Sequence, residues 1–166
     1  MLTVLQTQTH SCVSLQQIKA HLRLDHSEDD DYLMHLIKVA TTWVEEMINS
    51  PLLNKVYVWQ TIVPESHTSG LAGMSFCRPT IILPKQNVSE LKRVAIIDSK
   101  GQKRPVNYRV QEEGERMVIY IESIHKCFEI EFVAGFGERP ECVPYPLIQA
   151  VINHATCHYE CRSGIN

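Results

Sequence analysis

Apolar residues return every three or four positions along Leu33, Leu36, Ile37, Ala40, Trp43, Val44, Met47 and Ile48. That spacing lines one face of an α-helix. Ser27 is the expected N-cap, and the acids that follow suit the positive end of the helix dipole. Asn49-Ser50-Pro51 ends the helix, because proline cannot continue the hydrogen-bond ladder. A shorter helix is expected over about Leu15–Leu24, opened by a capping box between Ser14 and Gln17, with Leu15, Ile18, Leu22 and Leu24 inward. A third is expected from about Tyr145 to Cys161, with Leu147, Ile148, Val151, Ile152, Ala155 and Tyr159 on its inner face and proline near its first turn.

Between the second and third helices the period changes. Val56–Val63 is rich in β-branched and aromatic residues and predicts a strand. The stretch 64–79 reads as a loop, with two glycines, three serines and a threonine. Further strands are expected at 80–84, within Val88–Asp98, at 108–110, at Met117–Ile121 and at Cys127–Val133, with a turn at 99–102. In Phe128-Glu129-Ile130-Glu131-Phe132, apolar and acidic residues alternate, which predicts one buried and one wet face. The expected fold is α+β: an N-terminal helix pair and a C-terminal helix packed together, with an inserted small antiparallel β-sheet lobe. The whole chain, 1–166, reads as one domain, with helices over 13–50, the β lobe over 55–133 and the last helix over 144–162.

Composition agrees with a packed core: of 166 residues, 44% are hydrophobic and 21% charged. The net charge of −3 argues against tight phosphate binding, which draws on a basic excess. No apolar run reaches the length of a transmembrane helix. The first fifteen residues do not read as a signal peptide. The six scattered cysteines are accordingly expected as reduced thiols in a cytosolic protein.

Chemistry-bearing patterns are few. His154, Cys157, His158 and Cys161 share one helical stripe and are zinc-ligand types, but four ligands along one straight helix do not easily wrap a tetrahedral ion. The acids Asp25 and Glu28–Asp31 lack the glycine and terminal glutamate of a calcium loop and read as a solvated helix start. No cysteine sits in an activating turn, and no glycine-rich dinucleotide or phosphate loop is present. Lys85, Lys92, Arg93, Lys100, Lys103 and Arg104 read as a solvated basic face of the sheet lobe. No catalytic residue and no cofactor is expected.

The order of several phrases resembles the phage head–tail connector (adaptor) family. Val13-Ser14-Leu15-Gln16-Gln17-Ile18-Lys19-Ala20-His21-Leu22-Arg23-Leu24-Asp25 is similar to the family's opening helix, and Ala40-Thr41-Thr42-Trp43-Val44-Glu45 to its long helix. Ile82-Leu83-Pro84, Val94–Asp98, Asn107-Tyr108-Arg109-Val110 and Phe132-Val133-Ala134-Gly135-Phe136-Gly137 follow in the family's order. Val143-Pro144-Tyr145-Pro146-Leu147-Ile148-Gln149-Ala150 resembles its closing phrase, and His158 with Tyr159 its terminal helix. The likeness runs over about residues 13–162.

The resemblance implies a non-enzymatic subunit in a ring of about a dozen copies. Such a ring docks beneath the portal, extends the DNA channel toward the tail and meets a downstream head-completion or tail protein. The implied location is the virion head–tail junction, after assembly in the bacterial cytoplasm, with no membrane partner. DNA must slide through without sticking, so acids suit the channel wall. Part of the set Glu28, Asp29, Asp30, Asp31, Glu45 and Glu46 is expected at the lumen or at a subunit seam. Tyr159, Glu160, Arg162 and Asn166, near the C-terminus, are candidates for portal docking. Two other readings are open to the residues: a different phage assembly module, such as a tail-completion or stopper-like protein, and a His/Cys metal-binding protein.

Overall fold

Ser14 opens helix α1 (Leu15–Leu22) with a complete capping box. Its Oγ accepts the Gln17 N–H at 3.2 Å, and Gln17 Oε1 accepts the Ser14 N–H at 2.8 Å. Arg23, in the left-handed conformation at φ 57°, stops the helix. The Leu24 N–H then donates to the Lys19 carbonyl at 3.0 Å, which turns Leu24 back toward the core. Helix α2 (Asp30–Met47) begins later than the sequence predicts: Asp29, not Ser27, is the N-cap. Ser27 instead closes a turn, its backbone carbonyl accepting the Asp30 N–H at 3.3 Å, and stands two residues before the cap position. Asn49, at φ 51°, ends α2 before Pro51. Helix α3 (Tyr145–Arg162) follows a short 3-10 turn at Pro140–Cys142.

The computed structural model describes residues 1–7, 10–63, 80–114, 116–121 and 127–162; the expected loop at 64–79 lies outside them. The chain divides into two compact units. A helical unit comprises Gln8–Asn54 and Gly135–Asn166, and a sheet unit comprises Met1–Thr7 and Lys55–Ala134. The fold is α+β, with three helices in the first unit and strands in the second.

The helical unit is held by an apolar core. Ile18 of α1, Leu33, Ile37, Ala40 and Val44 of α2, Leu52, and Val151 and Ala155 of α3 are all buried. Burial of each large aliphatic side chain contributes about 1.5–3 kcal/mol. The inner face of α3 expected from the spacing is the one that packs on this core.

The sheet unit contains two antiparallel sheets where the sequence suggested one. The five-stranded sheet runs β1 (Leu2–Gln6), β2 (Lys55–Ile62), β8 (Cys127–Ala134), β4 (Val88–Ile97) and β5 (Lys103–Pro105) in spatial order. The three-stranded sheet runs β3 (Thr80–Ile82), β7 (Arg116–Ile121) and β6 (Tyr108–Glu113). Both feed one core: Tyr57, Val94, Phe128, Ile130 and Phe132 from the larger sheet meet Ile81, Ile119 and Ile121 from the smaller. Two separate sheets are the solution because strands that each carry an apolar face must bury it against another layer. Strands β1 and β5 carry no burial pattern at all, every residue being exposed, so hydrophobic periodicity has nothing to report there.

The outward face of β8 is drier than the alternation predicts. Glu129 is only 2% exposed. Its neighbour on β4 is Ala95, too short to cover it, and longer side chains close over the carboxylate instead. Lys103 Nζ lies 2.8 Å from Oε2, Arg93 Nη2 donates to Oε1 at 3.0 Å, and Gln60 Nε2 donates to Oε2 at 2.8 Å.

The crossings between the units are tightly made on the helical side. The Asn54 N–H donates to the Gly137 carbonyl at 2.8 Å, and the Phe136 N–H to the Leu52 carbonyl at 3.3 Å. Gly135, at φ +139°, lies so close to Asn54 that a Cβ there would sit 2.7 Å from the Asn54 backbone nitrogen.

Candidate assembly surfaces

The acidic set at the start of α2 is partly occupied by bonds within the helical unit. Asp29 Oδ2 accepts the Tyr159 hydroxyl at 2.6 Å, and Asp30 Oδ1 pairs with Lys19 Nζ at 2.7 Å. These contacts tie the front of α2 to α3 and to α1. Glu45 Oε1 accepts the Leu52 N–H at 3.0 Å, satisfying backbone just beyond the end of α2. Glu28, Asp31 and Glu46 are exposed. Spacing alone does not separate these two groups, because which acid meets a donor depends on the neighbouring helix.

At the other end of the unit, Tyr159 is half-buried, with its ring 6.3 Å from that of Tyr32 and its hydroxyl on Asp29. Glu160 is exposed. The side chain of Arg162 and all of Asn166 lie outside the described residues.

His154 is sandwiched by aromatic rings. Its centroid is 4.4 Å from Trp43 on α2 and 4.6 Å from His158 on α3, and its Nδ1 is buried with no hydrogen-bond partner among the described residues. Burial first, and then the neighbouring His158, hold its pKa below the usual value for histidine. Cys157 is exposed, and a hydrogen bond with Cys161 raises its pKa. Among the described residues no group of three or more His, Cys, Asp and Glu side chains is placed to hold a metal ion.

The lowered pKa of His154 has a stability consequence. The unfolded chain takes up the proton first as pH falls, so the stability of neutral His154 is present above about pH 6.5 and is lost as pH drops through the folded pKa. A His154→Phe chain is expected to lose less stability than the wild type between about pH 7 and 5. Paired urea titrations check this; parallel losses would contradict it.

The sequence places Trp43 and Met47 on the inner face of α2, but they are 45% and 68% exposed. Val44 is buried and Ile48 packs on the same core, so the apolar sector of α2 is wider than the side that meets the core. With Val39, 41% exposed, they form a line at steps of four along the solvent side. A second group of exposed apolar residues, Leu2, Val4 and Leu5, lies on β1. Charge divides unevenly between the units: the helical unit has five Lys and Arg against ten Asp and Glu, and the sheet unit eleven against nine. No helix among the described residues is long and apolar enough to cross a membrane.

Residues 12–72 match the family described as phage gp6-like head-tail connector protein. No curated protein matches the chain by sequence. Among solved structures, a chain in the neck of an empty gene transfer agent (GTA) particle, computed with C6 symmetry, matches with a TM-score of 0.77 at 21% identity. The match covers 96% of this chain and 84% of that one. A chain in the neck of the native particle, computed with C12 symmetry, matches with a TM-score of 0.72 at 20% identity, over 96% and 83% of the two chains. The virion of the native particle supplies a third, with a TM-score of 0.73 at 22% identity over 96% and 84%. The sequence match is confined to residues 12–72, whereas the fold match runs over nearly the whole chain.

Proposed function

We propose that the chain is a structural, non-enzymatic subunit of a head–tail connector ring that docks beneath a portal and extends the DNA channel toward the tail. The observation that carries this reading is the agreement of two independent likenesses. One is to a connector family in sequence, and the other is to neck chains of particles solved with C6 and C12 symmetry. In this reading the subunit assembles in the host cytoplasm and stays at the head–tail junction of the virion. Glu28, Asp31 and Glu46, the exposed members of the acidic set, face the lumen or a seam, where like charge keeps DNA moving. Asp29, Asp30 and Glu45 keep their internal bonds. The C-terminal end, from Tyr159 through Glu160 and Arg162 to Asn166, docks on the portal, and the opposite side of the ring receives a head-completion or tail protein.

Light scattering on the purified chain, alone and with portal protein, tests the reading. Twelve copies of a 19.0 kDa chain weigh about 230 kDa. A species of that mass, formed alone or only on the portal, is the expected result. A monomer or dimer that persists with the portal present rejects it.

A further inference from the structure

A ring of identical subunits joined head to tail needs two unlike surfaces on every copy, because the contact is heterologous. Among the described residues, only two elements leave three or more large apolar side chains exposed: α2, with Met34, Val39, Trp43 and Met47, and β1, with Leu2, Val4 and Leu5.

Each is unusual for a free surface. Among the described residues strand β1 is an edge of the five-stranded sheet, paired only with β2. Proteins blunt such edges with charge, proline or a covering element, and Leu-Thr-Val-Leu-Gln has neither charge nor proline. On α2, Val39, Trp43 and Met47 make an uncharged line, and the indole of Trp43 is backed by the His154 ring at 4.4 Å. A tryptophan already held in place loses little freedom on binding, which is what an interface anchor requires.

Charge complementarity selects the pairing. The helical unit has twice as many acids as bases, whereas bases outnumber acids in the sheet unit. Helical unit against helical unit is therefore disfavoured, and helical unit against sheet unit is favoured during encounter.

We propose that the Val39–Trp43–Met47 line of one copy seats on the β1 edge of a second copy of this chain, forming the seam between neighbours. The inference rests on the connector reading and names its self-contact. Trp43 is the anchor, and α2 supplies the cover that the β1 edge lacks within its own sheet.

Photo-crosslinking in the full-length chain tests it. Benzoylphenylalanine replaces Trp43, unlabelled chain is mixed with 15N-labelled chain, and the ring fraction is irradiated and its crosslinked peptides sequenced. The expected product joins position 43 to residues 1–7 of the differently labelled copy. Met47→Lys, at a side chain that packs on little of its own fold, is expected to lower the ring fraction at least about tenfold with an unchanged monomer melt. A ring whose crosslinks fall elsewhere on the neighbour, within one chain, or on a portal or tail protein overturns the seam and leaves the connector reading standing. So does an undiminished ring in Met47→Lys. If the wild type forms no ring with or without portal, both fall.

Discussion

Gly135→Val is expected to lose about 4 kcal/mol or more, enough to leave a marginal domain largely unfolded. Two effects act together. At φ +139° an L side chain is strained wherever it points. Here it points at the chain: a Cβ would lie 2.7 Å from the Asn54 nitrogen and 2.8 Å from its Cα. Those are backbone atoms, and the same Asn54 nitrogen donates to Gly137, so it cannot withdraw without breaking that bond. Asn54→Ala should therefore fail to rescue the variant. Gly101 is the control. It also has positive φ, +77°, but a Cβ there meets nothing within 4 Å, so Gly101→Ala should cost only about 1 kcal/mol. Urea midpoints decide the matter. A Gly135→Val chain as stable as Gly101→Ala would mean that the crossing is looser than described.

Glu129→Ala is expected to cost about 2–3 kcal/mol at neutral pH, the second largest effect. The substitution removes the shared acceptor of Lys103, Arg93 and Gln60. The cost stays below that of a fully buried broken pair because the Lys103 and Arg93 side chains are 47% and 51% exposed and can return to water. Burial pushes the Glu129 carboxyl up, but hydrogen bonds from Lys103 and Gln60 and the two cations outweigh it, so its pKa falls below 4.5. A depressed carboxylate contributes stability that is complete above the unfolded pKa and disappears as pH falls through the folded one. The advantage of wild type over Glu129→Gln should thus be constant from about pH 7 to 5 and shrink below about pH 4.5. An advantage that grows on acidification would reverse the sign and remove the carboxylate as its source.

What the sequence revealed follows what burial writes into it. Helices α2 and α3 and strands β2, β4, β7 and β8 bury a face, and their periods predict them within a residue or two. Strands β1 and β5 bury nothing and stay invisible to that pattern. Glu129 misleads in the other direction: alternation marks it as wet, and only long side chains reaching over Ala95 make it dry. At the candidate surfaces, the acids are legible as a set. The division of Asp29, Asp30 and Glu45 from Glu28, Asp31 and Glu46 needs the partners Tyr159, Lys19 and Leu52 in place. Trp43 and Met47 fit the inward period of α2 but lie on the solvent edge of its apolar sector, while Val44 and Ile48 take the core side, so one pattern hides both core and surface.

The closeness of the two crossings has a kinetic consequence. Eighty residues, Lys55–Ala134, separate the two halves of the helical unit. Closing a loop of that length costs about 4 kcal/mol of chain entropy before α3 can meet α2. Pairing β2 with β8 sets Lys55 opposite Ala134, which brings the ends together in advance. Docking of α3 is therefore expected to follow that strand pairing on the folding pathway, so the sheet acts as the clamp that makes an interrupted helical bundle fast to complete.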